Sequence, residues 1–161
     1  MKKLAPRAWA GIGFGVLILI FVIWILVARF TAPQVSEDPL SVGIGERWGA
    51  ALPAGFVKES AEHLEDGQGF VYAKLTYEED VGDLLGKWNA PEADTQEKFD
   101  RLITEFLADS SITPADATLI ASSRPTLGDG WVWYSLEEGE SQILLAYHRE
   151  SREMFVLEKG A

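Results

Sequence analysis

The sequence contains no cysteine and only two histidines, His63 and His148. The absence of cysteine excludes disulfides, thiolate metal ligands, a cysteine nucleophile and a lipid attached to an N-terminal cysteine. Neither histidine belongs to an H-E-x-x-H zinc motif, and no G-x-S-x-G motif indicates a serine nucleophile. For His63 we expect an ion pair with Glu62 or Glu65 on an edge strand. We therefore predict no catalytic residue, no metal and no cofactor, and we interpret the protein as a non-enzyme.

Basic residues are scarce in the part of the chain that follows residue 30. From Thr31 to Ala161 there are 10 Lys and Arg residues against 25 Asp and Glu residues, a net charge of −15. A surface of this sign excludes nucleic acid as a partner, because binding to phosphates requires a basic patch. It predicts instead a protein partner with a basic surface, or a cationic region of a membrane complex, because opposite fields accelerate association.

One long stretch, residues 8–28, contains no charged side chain. As a helix it would extend about 31 Å, which matches the hydrocarbon thickness of a bilayer. The stretch therefore predicts a transmembrane signal-anchor helix over residues 8–30, with the lipid bilayer as a partner. A cleaved signal peptide is the alternative, but the apolar stretch exceeds the usual ~7–15 residues and lacks a good cleavage site. Gly11 and Gly15 form a GxxxG pair, a candidate contact with another membrane helix.

The charges that flank this stretch predict its orientation. Lys2, Lys3 and Arg7 precede it, whereas only Arg29 follows it closely. The positive-inside rule then places the N-terminus in the cytoplasm and the bulk of the chain outside. We therefore predict a single-pass protein of the cell membrane with a cytoplasmic tail (1–7), an anchor (8–30), a linker (31–41) and an extracytoplasmic domain (42–161).

Residue patterns after the linker predict a small α+β domain. Segments rich in aromatic and β-branched residues predict an N-terminal hairpin, 56–64 with 70–77, and a C-terminal three-stranded meander, 131–136, 142–148 and 154–158. Apolar residues at 3- and 4-residue steps predict two helices, 78–88 and 95–108. The predicted fold class is a single N-terminal transmembrane helix followed by an antiparallel sheet that two helices cover.

Two other segments have weaker patterns. Residues 47–52 predict one or two short helical turns after the linker. Residues 110–126 contain Pro114 and Pro125 and predict a loop with a short strand at 118–122. The side chains that we expect in the core are Leu102, Phe106, Tyr134, Leu145 and Val156.

The segment Trp131-Val132-Trp133-Tyr134 is the main candidate for a partner-binding surface. Period-2 alternation places Trp131 and Trp133 on one face of the sheet and Val132 and Tyr134 on the other. Tryptophans on an uncovered face would be anchors for a partner, and Asp129 in the preceding turn belongs to the same candidate site. The alternative is that the tryptophan pair lies on the buried face, as large aromatic side chains usually do.

These observations leave three classes of function. The first is a membrane-tethered, extracytoplasmic, non-enzymatic binding or accessory domain that engages a protein partner, with an inhibitor or immunity protein as a special case. The second is a structural subunit of a membrane complex, held through its transmembrane helix. The third and least favoured is a carboxylate-dependent hydrolase, because the sequence supplies no recognisable set of nucleophile, base and oxyanion groups.

Overall fold

The computed structural model describes Ile20, Ile23 and residues 36–65 and 68–160. The chain divides into two units between Gln34 and Val35, and every element named below belongs to the second. The predicted cytoplasmic tail, nearly all of the predicted anchor with its Gly11–Gly15 pair, and the start of the predicted linker lie outside the described residues. The predicted domain boundaries therefore stay predictions.

One antiparallel sheet of five strands forms the centre of the second unit, in the order β1-β2-β5-β4-β3. The hairpin and the meander expected from the sequence are both confirmed. They join through β2 and β5, so the last strand of the chain lies in the middle of the sheet. The strands are β1 (Phe56–Glu65), β2 (Gln68–Tyr77), β3 (Trp131–Glu138), β4 (Ser141–His148) and β5 (Glu153–Gly160).

Three α-helices accompany the sheet in the described residues: α1 (Pro39–Trp48), α2 (Thr95–Ala108) and α3 (Pro114–Ser123). The α1 helix begins at a proline, and the Asp38 carboxylate accepts a hydrogen bond from Leu40 N at 2.9 Å. The α2 helix is the predicted 95–108 helix and is confirmed. Its apolar residues recur at helical spacing and are buried on one side.

The predicted fold class is wrong and needs two corrections. Among the described residues no helix is long and apolar enough to cross a membrane. The helices in the second unit have 10 or 14 residues, whereas a span requires about 20. The number of covering helices is also wrong, because three α-helices rather than two pack on the sheet. The observed class is α+β, with a five-stranded antiparallel sheet and three helices.

The predicted helix at 78–88 is reduced to a single 3₁₀ turn, Gly82–Leu84. The Asp80 carboxylate accepts a hydrogen bond from Gly82 N at 2.8 Å, which closes a local turn instead of capping a longer helix. Gly86 then adopts a positive φ of 69°, a conformation that ends a helix. The apolar spacing of Val81, Leu85 and Trp88 is therefore that of an irregular segment whose side chains pack on the core.

The predicted loop and strand at 110–126 are also wrong, because α3 occupies 114–123. Thr113 and Asp116 form a capping box at its start. The Thr113 hydroxyl accepts from Asp116 N, and the Asp116 carboxylate accepts from Thr113 N at 3.0 Å. Pro114 is the first helical residue, where its missing N–H costs nothing. The one or two short helical turns expected at 47–52 are wrong as well, because the helix α1 spans Pro39–Trp48 and residues 49–52 follow it without helical structure.

Both faces of the sheet are covered. On one face, α1 and the 81–88 segment pack against alternate residues of the central strands, including Val71, Leu145 and Val156. On the other face, α2 and α3 pack against the intervening residues, including Tyr72, Leu144 and Phe155. The strands β2, β4 and β5 are therefore buried on both sides, which is why they are nearly continuous apolar runs. Of the five expected core residues, Leu102, Phe106, Leu145 and Val156 are buried and Tyr134 is half-buried.

Candidate functional site

A cleft of about 440 Å³ lies between the segment that leads into α2 and the segment that leads into β3. It is lined by residues 90–93, by Gln96 of α2, and by residues 127–131. Its volume is within the range of about 300–1,000 Å³ that is usual for ligand-binding clefts. The two lining segments are far apart in sequence, so their position depends on the contacts that attach each one to the sheet.

The first wall, residues 90–93, is attached to the edge strand β3. Asn89 and Trp133 exchange two backbone hydrogen bonds, with N···O distances of 2.9 and 2.8 Å. The Trp133 indole Nε1 also donates to the carbonyl oxygen of Ala90 at 3.1 Å. These three bonds fix the start of the wall, and Pro91 then restricts the backbone at the entrance to α2.

The second wall, residues 127–131, is attached to α2 by side chains. The Gln96 carbonyl Oε1 accepts from Leu127 N at 2.7 Å, and its Nε2 donates to Asp100 Oδ1 at 2.8 Å. Arg124 donates to the same Asp100 oxygen at 2.6 Å from Nη2. The loop between α3 and β3 is thereby held against α2, and the Gln96 amide is already engaged at both ends.

Trp131 is the aromatic wall of the cleft. Its indole stacks on the His148 ring, with centroids 4.9 Å apart and an interplanar angle of 28°, and it also contacts Phe155. Ser151 holds the imidazole in turn, since the Ser151 hydroxyl lies 3.0 Å from His148 Nδ1. Gly130 lies against the same ring, because a Cβ built there would be 3.0 Å from His148 Nε2. The Trp131 side chain is half-buried and is held by these neighbouring rings.

Two carboxylates border the cleft, Glu92 on the first wall and Asp129 on the second. Both are exposed, and in the described part of the chain neither carboxylate accepts a hydrogen bond or forms an ion pair. The ammonium of Lys98, on the same helix as Gln96, is engaged elsewhere. It lies 2.9 Å from Asp94 Oδ2 and over the Trp133 ring. The hydrogen bond with Asp94 raises the pKa of Lys98, and the charge of Glu92 adds a smaller contribution in the same direction.

The structure brings two of the candidate partner-binding residues together and separates the third. Trp131 and Asp129 both line the cleft. Trp133 shares a sheet face with Trp131, as alternation requires, but only 7% of its surface is exposed and it packs among the core residues below α2. Glu92 and Gln96 were not anticipated, because nothing in the local sequence indicates which distant turn they meet. The candidate membrane contact, Gly11 and Gly15, lies outside the described residues.

The histidine farthest from the cleft has a structural role. His63 Nε2 lies 3.0 Å from Asp116 Oδ2, so β1 is joined to the N-terminus of α3. His63 thus contacts an acidic side chain from the edge strand β1, as expected, but the partner is Asp116 and not Glu62 or Glu65. Asp116 also accepts from the Thr113 hydroxyl and backbone N–H, and these bonds, with the His63 contact, lower the pKa of its carboxyl.

Two buried tyrosines outside the cleft have structural roles, because the hydroxyl of each is hydrogen-bonded to a neighbouring element of the fold. The Tyr147 hydroxyl donates to Asp80 at 2.8 Å and accepts from Val81 N at 3.1 Å. The Tyr72 hydroxyl lies 2.9 Å from Ser123 Oγ, which itself donates to the carbonyl oxygen of Leu119. Within the described residues no His, Asp or Glu side chain is hydrogen-bonded to this serine. Burial raises the pKa of Tyr72 to about 12. Among the described residues, no group of three or more His, Asp or Glu side chains is placed to hold a metal ion.

Comparisons with known proteins give no family for this chain: no family model matches it, and neither a curated protein nor a solved structure is significantly similar. The fold alone does not determine a function. The geometry of the cleft is therefore the basis for the function proposed below.

Proposed function

We propose that the second unit is a non-enzymatic binding domain that engages a basic surface of a protein partner through the cleft at Trp131. The observation that carries the proposal is the combination of an aromatic side chain held by its neighbours with two exposed carboxylates, Glu92 and Asp129, that form no hydrogen bond or ion pair among the described residues. An inhibitor or immunity protein that neutralises a basic partner is a special form of this function.

The charge of the chain supports the same class of partner. With a net charge of −15 from Thr31 onward, the field around the domain attracts cationic proteins and repels anionic ones. Aromatic residues at the centre of a contact and charged residues at its rim are the usual arrangement of protein interfaces. Trp131 and the two carboxylates have this arrangement.

A binding measurement on the full-length chain tests the proposal. The probe is a lysine- and arginine-rich peptide, and its association is followed at low and high salt. Trp131→Ala should weaken binding by at least about 2 kcal/mol if the indole is the anchor. The double variant Glu92→Gln/Asp129→Asn should lower the association rate and its salt dependence.

A matched control removes the same charge elsewhere. Glu59 on the opposite edge strand and Glu140 in the turn between β3 and β4 are exposed. The double variant Glu59→Gln/Glu140→Gln should bind the peptide with nearly the affinity of the parent chain. If the two double variants lose the same affinity for the peptide, net charge alone accounts for the effect, and a binding site at the cleft is contradicted.

A further inference from the structure

We infer that the group the cleft accepts is the guanidinium of an arginine side chain of the partner, in preference to a lysine ammonium. The inference rests on the proposed function and makes it more specific. It depends on three features of the cleft: the sign of its charged groups, the form of its aromatic wall, and the placement of its carboxylates on separate walls.

The charged side chains of the lining, Glu92 and Asp129, are both hydrogen-bond acceptors, and none of the described residues that line the cleft is basic. Gln96 adds little, because its carbonyl and amide ends are already bonded to Leu127 and Asp100. A ligand that satisfies the two carboxylates must therefore bring several N–H donors and a positive charge. Arginine supplies five donors in a planar fork, whereas lysine supplies three on a single atom.

The aromatic wall favours a planar cation. The Trp131 indole is held by its stacking on His148 and by its contact with Phe155. Guanidinium groups stack on tryptophan and are weakly hydrated, while an ammonium is a compact and strongly hydrated charge that is costly to remove from water. A wall that is already immobilised loses little entropy when a flat group stacks on it.

The two carboxylates stand on different walls, Glu92 before α2 and Asp129 before β3. A forked donor can bond to two carboxylates at once, whereas an ammonium presents its three N–H groups from a single atom. The partial positive charge at the N-terminus of α2 would oppose a cation, but Glu97 in the first turn offsets it, while the Asp94 carboxylate is paired with Lys98. The cleft is therefore electrostatically suited to a cation despite the nearby helix end.

The experiment uses the full-length chain and three acetylated, amidated peptides of glycine and serine that differ only in a central arginine, lysine or citrulline. Binding is followed by the NMR shift of the Trp131 indole N–H, which is assigned from the variant Trp131→Phe. We expect the arginine peptide to bind at least about fivefold more tightly than the lysine peptide. The citrulline peptide, which keeps the planar shape without the charge, should bind most weakly.

The outcomes separate this inference from the proposed function. If the lysine peptide shifts the Trp131 signal with equal or higher affinity, the preference for guanidinium is overturned while a cation site at the cleft stands. If no peptide moves that signal, or if Glu92→Gln/Asp129→Asn leaves every affinity unchanged, both are overturned. If the arginine preference is present in the parent chain and lost in Trp131→Ala, where binding is followed by the backbone amide signals of residues 127–130 instead, the inference is supported.

Discussion

Arg47 on α1 donates two hydrogen bonds to Glu158 on β5, from Nε to Oε1 at 2.6 Å and from Nη2 to Oε2 at 2.7 Å. The Trp48 indole donates a third bond to Oε1 at 2.7 Å. The Glu158 side chain is 1% exposed, so these bonds compensate for the removal of a carboxylate from water. The pair also anchors α1 to the central strand of the sheet.

We predict that Arg47→Met will lower the free energy of unfolding by about 1–3 kcal/mol, because it leaves a buried carboxylate with one donor. Arg101→Met is the matched control, since Arg101 is exposed on α2, and it should change stability by less than about 0.5 kcal/mol. Denaturant unfolding of the full-length chain measures both. If Arg47→Met lowers the free energy of unfolding as little as its control, the buried Glu158 carboxylate does not need the ion pair for stability.

A second prediction concerns the core beneath α2. The Phe106 ring is 2% exposed and stacks on Phe70, with centroids 4.8 Å apart. Phe106→Ala should therefore cost about 3–5 kcal/mol. Its neighbour Leu107 is 42% exposed on the same helix, and Leu107→Ala should cost much less. Similar losses for the two variants in denaturant unfolding would mean that the buried side of α2 has been misassigned.

The sequence pattern predicted most strands and the longest helix because their signals are local. The 3- and 4-residue spacing from Phe99 to Leu107 defines α2, and aromatic and β-branched runs define the hairpin and the meander. Two errors came from polar side chains whose partners decide the structure. Asp80 closes a turn rather than capping a helix, and Thr113 with Asp116 caps a helix where two prolines indicated a loop.

Only one wall of the candidate site could be predicted from the sequence, because the other wall depends on contacts between distant parts of the chain. Asp129 and Trp131 are separated by one residue, so one segment of sequence indicated both. Glu92 lies on the opposite wall, and its position depends on the pairing of Asn89 with Trp133 across 44 residues of sequence. Alternation correctly placed the two tryptophans on one face, but it cannot distinguish the buried end of that face from the end that opens into a cleft.

The third prediction follows from the lowered pKa of Asp116. Its bonds with Thr113 and His63 favour the carboxylate in the folded protein. The stabilisation should be complete above the unfolded pKa of about 3.9 and should be lost as the pH falls through the lower folded value. Asp116→Asn should therefore destabilise the chain near pH 7 and become nearly neutral at the acid end of this window.

The measurement is a series of urea unfolding curves of the parent and Asp116→Asn between pH 7 and pH 2. Glu140→Gln, at an exposed turn position, is the control and should parallel the parent throughout. A difference between Asp116→Asn and the parent that stays constant across this range would show that the charge on Asp116 has no part in the effect.

The fourth prediction concerns alkaline conditions. Burial raises the pKa of Tyr72 to about 12 in the folded protein, compared with about 10 in an unfolded chain. The contribution of Tyr72 is complete below pH 10 and is lost as the pH rises toward 12, because the unfolded chain releases the phenolic proton first. Tyr72→Phe should therefore show a smaller fall in stability between pH 9 and pH 11. A fall as steep as that of the parent chain would argue against this linkage.

The fifth prediction concerns where the domain is located. The three basic residues before the apolar stretch at 8–28, against one that follows closely, predict that the domain lies outside the cytoplasm.

Because the chain has no cysteine, a single cysteine introduced at Ser110 or at Lys3 gives an unambiguous label. Ser110 is exposed between α2 and α3, so Ser110→Cys should react with a membrane-impermeant thiol reagent in intact cells. Lys3→Cys should react only after the cells are opened. The opposite pattern, or protection of both positions until lysis, would place the acidic cleft in the cytoplasm and would redirect the search for its basic partner to that compartment.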